Sequence, residues 1–295
     1  MTKQRNKMLE ATAEVIKQLD LDISFTLLEV GARQLSQNEK EPFYELLDYY
    51  PSSKVIGFEI DDDICNQRNL ESAPGIKYFT NALGEFDEIK ELYITNHPMC
   101  SSLYEPNSEL LSLYNNLEFA YLKSKSSLKT ISLDQFLSEN SINSVDFIKA
   151  DVQGAELDIL KGGRNALNEV LKIVCEVEFI PIYKDQPLFG DVCHFLSKNG
   201  FMFNKFLDLA GRALRPIQLQ NNVNTASQHM WADAVFIKQI QTIPHLETDK
   251  ILKLSLLSAI YGSPDLVHYC LHNFDKRNSS TMASQWLQKI GAGRH

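Results

Sequence analysis

The segment from Ser144 to Gly162 constrains the fold more than any other part of this chain. A short apolar run, Val145–Ala150, carries Lys149 and is closed by Asp151, and a helix-period segment rich in carboxylates then begins at Glu156. This strand–turn–helix pattern predicts one unit of an open parallel sheet, in which ligands bind beyond the carboxyl ends of the strands. Asp151 is therefore a candidate site residue. The alternative is that Asp151 only caps the following helix.

Strand and helix patterns alternate along most of the chain. The predicted strands are residues 25–30, 54–59, 76–80, 145–150, 172–177, 201–206 and 232–237, with extra strands at 91–95 and 128–131. The predicted helices are residues 3–19, 42–50, 65–70, 133–139, 156–169 and 189–198. This order implies right-handed crossovers, so we expect an α/β protein with a mostly parallel, doubly wound sheet.

Two segments stand apart from this alternation. Residues 96–125 are polar and Ser-rich, and a loop-rich insertion of that size is more often functional than idle. After Pro244 only helical patterns follow, at residues 247–261, 264–272 and 281–290. The predicted organisation is an N-terminal helix (1–24), an α/β domain (25–240) and a helical C-terminal extension (241–295).

Charge and composition exclude several classes of protein. The net charge is −9, and no run of Lys or Arg could form the basic face that binding to nucleic acid requires. The five cysteines are far apart and never in a Cys-x-x-Cys pair, which argues against a disulfide framework and a zinc knuckle. The first 20 residues lack a secretory apolar core, and no apolar stretch could span a bilayer. We expect a soluble cytoplasmic protein, with homo-oligomers left open.

The turn after the first strand indicates what kind of ligand the sheet can bind. A dinucleotide site needs Gly-x-Gly-x-x-Gly there, but Gly31 is followed by Ala32-Arg33-Gln34-Leu35, and a Walker-type loop is equally absent. The turn therefore suits a ligand without a pyrophosphate better than it suits NAD. The alternative is that Gly31 is only a turn residue that needs a positive φ.

Polar residues also close the next two strands. Glu59 ends the second strand, where a carboxylate can accept hydrogen bonds from both ribose hydroxyls of a nucleoside. Asn81 follows the third strand, where its amide could bind an adenine edge, although Asn also favours turns. The carboxylates at 61–63 lie at the start of a helix, where acidic residues more often interact with the helix dipole than bind a metal ion. We therefore predict no metal site.

Four charged residues are the candidate catalytic groups. Lys149 and Asp151 lie on the same side of their strand because side chains alternate, so Lys149 should lower the pKa of Asp151 and make it an orienting group. Glu176 and Glu178 share one face at the end of the fifth strand. Two carboxylates in one cleft raise the pKa of one of them, which can supply a proton acceptor near neutral pH.

The same segments resemble one family. Asp-Phe-Ile-Lys-Ala-Asp-Val-Gln-Gly-Ala-Glu, residues 146–156, resembles the Lys-x-Asp-x-Glu-Gly-x-Glu block of FkbM-type S-adenosylmethionine methyltransferases, with Gln153 where that family usually has Glu. Residues 28–32, 58–59 and 130–134 supply further pieces in family order, and residues 176–183 resemble the family's Glu-x-Glu-Phe-x-Pro-x-Tyr segment. The resemblance covers about residues 25–240. Arg33 and Leu35 depart from the family's Gly-Ala-Asn-x-Gly loop.

The resemblance implies a Rossmann-like class I methyltransferase fold and dependence on S-adenosylmethionine. It further implies O-methylation of a small-molecule acceptor, such as a sugar or another small hydroxylated metabolite. The alternative is a non-catalytic scaffold whose altered loop no longer holds cofactor and whose helical extension binds a protein. The predicted catalytic residues are Asp151, Lys149, Glu176 and Glu178. The predicted cofactor-binding residues are Glu29, Gly31, Arg33, Glu59, Ile60, Asn81, Ala82 and Asp151.

Overall fold

The structure is a computed structural model that describes residues 2–32, 41–218, 220–222, 224 and 228–291, with side chains from residue 5 onward. Its strands are β1 (Thr26–Val30), β2 (Lys54–Phe58), β3 (Ile76–Phe79), β4 (Ala82–Gly84), β5 (Glu88–Thr95), β6 (Leu122–Ser132), β7 (Phe147–Ala150), β8 (Lys172–Glu178), β9 (Phe201–Ala210) and β10 (Trp231–Lys238). Its helices are α1 (Thr2–Lys17), α2 (Leu46–Tyr49), α3 (Asp62–Glu71), α4 (Ser108–Ser112), α5 (Leu133–Glu139), α6 (Glu156–Gly162), α7 (Phe189–Lys198), α8 (Thr248–Ile260), α9 (Pro264–Asn278) and α10 (Met282–Ile290). Short 3-10 helices cover Pro42–Glu45, Pro98–Cys100, Glu118–Ala120, Ala166–Asn168 and Ile240–His245.

Seven strands form the main sheet, in the order β3-β2-β1-β7-β8-β10-β9. Strands β7 and β8 are parallel, with Ala150 opposite Cys175. Strand β10 runs antiparallel to β8, with Asp233 opposite Glu176. The central strands are buried on both faces, which explains why they read as apolar runs without alternation. The predicted α/β fold with a mostly parallel sheet is confirmed.

The described residues divide into two compact units. The first lies within Met1–Leu27, Gln34–Val55 and Lys238–His295, and the second within Leu28–Arg33 and Ile56–Ile237. In the first unit α1 packs on α8 and α10, and the Trp286 indole donates a hydrogen bond to Thr12 Oγ1 at 2.9 Å. The predicted N-terminal and C-terminal helices are therefore present and packed. None of the described helices is long and apolar enough to cross a bilayer.

The core of the second unit lies between the sheet and helices α5, α6 and α7. Its fully buried sheet residues include Leu28, Ile148, Ile173, Cys175 and Phe236, which face Phe136, Ile159, Leu160 and Leu196 of the helices. Successive side chains of a strand point to opposite faces of the sheet, so Lys149 and Val174 point away from this core. The carboxyl ends of β1, β7 and β8 lie next to one another in the sheet.

The insertion is more ordered than its sequence suggests. Strand β6 already begins at Leu122 and pairs with β5, and β4, which the sequence patterns missed, completes a separate three-stranded sheet. The prediction of a loop through residue 125 is wrong because the first part of β6 is exposed on both faces and so lacks an alternating pattern. Residues 96–121 contain α4 and two 3-10 turns, with a small apolar cluster that includes Leu111, Tyr114, Tyr183 and Met230.

The predicted helix over residues 156–169 is also wrong in length. Helix α6 ends at Gly162, and a separate 3-10 turn covers Ala166–Asn168. A Cβ at Gly162 would lie 2.1 Å from the carbonyl oxygen of Gly84, so the helix packs against β4 with no room for a side chain. Two consecutive glycines at 162–163 weaken the helix beyond this contact.

Candidate active site

Gly31 brings three strand ends together. The N–H groups of Gly31 and Ala32 donate to the carbonyl oxygen of Phe58 at 3.2 and 2.9 Å, and the Asp151 N–H donates to Val30 O at 2.9 Å. Gly31 has a φ of +82°, and a Cβ there would lie 1.8 Å from the Asp151 carbonyl oxygen. Only glycine fits both the left-handed backbone and this close approach. Gly31 thus has the positive φ that the sequence indicated, and its part in cofactor binding stays a prediction.

Lys149 places a positive charge at this edge. Its Nζ lies 2.9 Å from Asp233 Oδ1 and 3.7 Å from Asp151 Oδ2, and its side chain is only 4% exposed. Lys149 and Asp151 therefore share a side of the strand, as alternation predicts. Asp233 was missed by the sequence analysis, because the antiparallel register that places it opposite Glu176 cannot be read from sequence.

Glu156 closes the turn between β7 and α6. Its Oε1 accepts the Val152 N–H at 2.7 Å and its Oε2 accepts the Gly154 N–H at 3.0 Å. Burial raises the pKa of Glu156 to about 7, although the Val152 hydrogen bond opposes the rise. Ala155 is the N-cap of α6 and provides no side-chain cap, so Asp151 does not cap this helix.

Gln153 connects Asp151 to Glu176. Its Nε2 donates to Asp151 Oδ1 at 3.0 Å and to Glu176 Oε2 at 2.5 Å. Its Oε1 faces the Tyr183 hydroxyl at 3.1 Å. Sequence reasoning marked Gln153 only as a departure from the FkbM-type pattern and gave it no role in the site.

Glu176 and Glu178 both hold protons more tightly than ordinary carboxyls. Burial raises the pKa of Glu176 well above its usual value, and the charge of Asp151 adds to the rise. Burial likewise raises the pKa of Glu178, with the charge of Glu156 next in importance and a Gln186 hydrogen bond opposing. Glu178 is buried, whereas Glu176 is half-buried and its carboxylate accepts a hydrogen bond from Gln153. Glu176 is thus the more accessible of the two carboxylates.

Asp151, Glu156 and Glu176 form a close acidic group that the sequence analysis did not foresee. One ligand atom from each lies within 4.8 Å of the others, a spacing that could suit a metal ion. Both oxygens of Glu156 are already engaged by N–H groups, and the Lys149 ammonium supplies positive charge beside Asp151. We therefore describe the group as an acidic cluster in which the pKa values of Glu156 and Glu176 are raised.

The predicted cofactor-binding residues of β1 and β2 lie at the same sheet edge. Glu29 is buried and its Oε2 is 3.4 Å from the Arg68 guanidinium. Glu59 is also buried, and its Oε1 accepts the Asp61 N–H at 2.9 Å. Ile60, directly after Glu59, is 40% exposed. The Asp61 side chain caps α3, as expected for a carboxylate at a helix start.

The other predicted cofactor-binding residues are placed less uniformly. Asn81 is exposed in the turn between β3 and β4. Ala82 is buried as the first residue of β4 and pairs with Thr130. Arg33 lies outside the described residues, as does Leu35.

The insertion contacts the candidate site directly. Ser102 Oγ donates to the carbonyl oxygen of Gln153 at 2.6 Å. The Tyr183 hydroxyl lies 2.9 Å from the Cys100 carbonyl oxygen, so Tyr183 stands between the insertion and Gln153. On α6, Asp158 Oδ2 lies 3.2 Å from the Tyr104 hydroxyl. These contacts were not predictable residue by residue, since they join segments far apart in sequence.

The comparison with family models decides the classification. The model of the methyltransferase FkbM domain matches residues 29–203, which is more than half of the chain and includes every part of the sheet edge through β8. The chain belongs to the FkbM methyltransferase family. The resemblance noted from the sequence motifs is thereby confirmed.

The individual proteins that resemble this chain match it over a short segment or at low sequence identity. The chain is 40% identical over 63 residues to the 2-O-methyltransferase NoeI of Sinorhizobium fredii (strain NBRC 101917 / NGR234), a match that spans 21% of this chain and 24% of NoeI. A Listeria monocytogenes protein assigned as an S-adenosylmethionine-dependent methyltransferase is 11% identical, with 78% of this chain and 99% of that chain covered and a TM-score of 0.39. The 23S rRNA methyltransferase ErmE is 11% identical, with 96% of each chain covered and a TM-score of 0.34.

Proposed function

We propose that this protein is an S-adenosylmethionine-dependent O-methyltransferase whose acceptor is a sugar or another small hydroxylated metabolite. The observation that carries the proposal is the meeting of Asp151, Glu176 and Lys149 beside the Gly31 turn in a chain of the FkbM methyltransferase family. A small match to a 2-O-methyltransferase supports the choice of oxygen as the acceptor atom. The net charge of −9 argues against nucleic acid as the acceptor.

The residues of this edge fit the proposed cofactor. Glu59 places a buried carboxylate at the end of β2, where it can accept hydrogen bonds from ribose hydroxyls. Ile60 presents exposed apolar surface next to it, which suits the face of an adenine ring. Gly31, directly after β1, adds no side chain where the backbone approaches Asp151. Glu29 is expected to act indirectly, because its carboxylate is already paired with Arg68.

The chemistry needs little more than positioning and a proton acceptor. When bound, S-adenosylmethionine would supply a methyl group on a sulfonium: the acceptor oxygen would bond to that carbon as its bond to sulfur breaks, with S-adenosylhomocysteine, a neutral thioether, as the leaving group. We assign the proton of the acceptor hydroxyl to the Glu176 carboxylate, since Glu176 is accessible and its raised pKa makes it a stronger base than an ordinary carboxylate. Asp151, held by Gln153 and Lys149, orients the hydroxyl.

Cofactor binding tests the first half of the proposal. Calorimetry with S-adenosylhomocysteine should show binding to the parent chain, and Glu59→Gln should bind about 10- to 100-fold more weakly, because charge-assisted hydrogen bonds to ribose are lost. Glu71→Gln, at the far end of α3, is the matched control and should bind like the parent. Absence of binding by the parent chain would instead favour the scaffold, in which the domain has lost its cofactor.

Turnover tests the second half. Release of S-adenosylhomocysteine should be measured with a panel of mono- and disaccharides, comparing the parent with Asp151→Asn. We expect turnover to fall by roughly 10²-fold while the melting temperature changes little. Asp208→Asn removes an exposed carboxylate at a φ of +49° that Asn tolerates, and serves as the control. Unchanged turnover in Asp151→Asn would remove Asp151 from the mechanism.

A further inference from the structure

Gln153 occupies a turn that fixes the direction of its side chain. Its φ is +60° and that of Gly154 is +98°, a left-handed stretch that non-glycine residues adopt where their surroundings hold them. Ser102 binds the Gln153 carbonyl oxygen, and the N–H groups on either side of the residue are bound by Glu156. The backbone of Gln153 is therefore tied to the insertion and to α6 at once.

Every polar atom of the Gln153 amide lies within hydrogen-bond distance of another polar atom, and Gln153 Oε1 shares the Tyr183 hydroxyl with the Cys100 carbonyl oxygen. Its two N–H groups are directed to Asp151 and Glu176, and its carbonyl oxygen faces the Tyr183 hydroxyl. This orientation follows from the network, since a rotated amide would point its oxygen at two carboxylates. An amide is the one side chain of this size that donates to two carboxylates while adding no charge.

We propose that Gln153 is a positioning residue: its amide holds Glu176 in place as the proton acceptor and keeps Asp151 beside Lys149 as the orienting group. This inference rests on the proposed function, because the proton in question is that of the acceptor hydroxyl. A donated N–H stabilises the ionised form of a carboxylate, so Gln153 keeps Glu176 able to accept a proton against its acidic surroundings. The groups that face Glu176 are Asp151, Glu156, Glu178, Asp233, Lys149 and Tyr183.

Gln153→Met tests the role in turnover. The substitution keeps the length of the side chain but removes both donors, so the pKa of Glu176 should rise further. The acidic limb of the kcat–pH profile should move up by about one pH unit, and kcat at pH 7 should fall about tenfold while the KM for S-adenosylmethionine is unchanged. A residue that only supports the fold would lower the melting temperature and leave the acidic limb where it is.

Gln153→Glu tests the geometry without any need for activity. The new carboxyl would lie between two others, so the folded protein must bind an additional proton that the unfolded chain releases. The deficit in melting temperature relative to the parent should therefore grow by several degrees between pH 5 and pH 8. The matched control is Gln135→Glu, since Gln135 Nε2 donates to Glu139 Oε1 at 2.9 Å on an exposed helix face.

The two variants separate the possible failures. If no acceptor is methylated by the parent but the Gln153→Glu deficit grows with pH, the proposed function fails while the bridge between Asp151 and Glu176 stands. If Gln153→Glu and Gln135→Glu show the same dependence on pH, the bridge is absent and the inference is overturned. An unmoved acidic limb in an active Gln153→Met enzyme likewise overturns it.

Discussion

Glu156→Gln should change how the stability of the second unit depends on pH. The pKa of Glu156 is raised by burial from 4.5 to about 7, so the folded state binds more protons than the unfolded state between these values. The contribution of Glu156 to the free energy of unfolding is fully present below about pH 4.5 and is lost as the pH rises through about 7. A rise of this size corresponds to a loss of about 3 kcal/mol once the carboxyl is ionised in the fold.

The amide of the variant cannot ionise, so it escapes this loss. It has one acceptor oxygen instead of two, and either the Val152 or the Gly154 N–H then loses its partner, at a cost of about 1–3 kcal/mol at every pH. The variant should be the less stable protein at pH 5. By pH 8 the difference in unfolding free energy should have moved about 2–3 kcal/mol in its favour. Part of the pH slope persists, because the pKa values of Glu176 and Glu178 are raised in the same direction.

Urea unfolding followed by tryptophan fluorescence provides the measurement. The chain has two tryptophans, so in a Trp286→Phe background Trp231 on β10, opposite Glu178, reports the second unit alone. Glu139→Gln, which neutralises an exposed carboxylate on α5, should change the same difference by less than about 0.5 kcal/mol. If the gap between Glu156→Gln and its parent is constant from pH 5 to pH 8, Glu156 is not a buried carboxyl that takes up a proton on folding.

Three further outcomes follow from contacts of the second unit. Gly31→Ala should lower the free energy of unfolding in urea by more than about 3 kcal/mol, because its Cβ would overlap the Asp151 carbonyl oxygen. Its control, Gly200→Ala, has a similar φ but open space around it and should lower this free energy by about 1 kcal/mol. Lys149→Met should lower the free energy of unfolding by about 2–3 kcal/mol. This is less than the loss expected for a fully buried ion pair, because the partner carboxylates are partly exposed, and adding Asp233→Asn should recover part of the loss. Tyr104→Phe removes a hydroxyl bound to the α6 carboxylate Asp158, so hydrogen exchange should quicken in residues 96–121 while β8 is unaffected; equal exchange in that segment would contradict its docking on α6.

The bounds predicted from the sequence were most accurate for helices whose ends are marked by local capping residues. Helix α5 begins after Ser132, whose hydroxyl accepts the Gln135 N–H. Helix α7 ends at Lys198, and its cap Asn199 precedes Gly200 at a φ of +84°. Both helices match their predicted bounds. Helix α6 does not, because its end is set by the approach of β4, a tertiary contact that no local signal announces.

The candidate site was predictable along each strand and not across strands. Lys149 and Asp151 share a side because alternation requires it, and the apolar run before them marks a strand end. Asp233, which binds Lys149 from 84 residues away, depends on the antiparallel register of β10 on β8. Ser102 and Tyr183 reach Gln153 from the insertion and from the segment after β8, so their part in the site becomes visible only once the chain is folded.

Gln153 is one of the residues at which the chain departs from the FkbM-type pattern, and the acidic cluster around it gives this departure a physical reason. Asp151, Glu156, Glu176 and Asp233 lie around Lys149, and Glu178 lies close to Asp151 and Glu156. A glutamate at position 153 would stand between two of these carboxylates and would need a proton or a further cation there. The glutamine supplies two donors and no charge. Replacing a carboxylate by an amide at this position therefore lets Asp151 and Glu176 lie close together without a third negative charge between them.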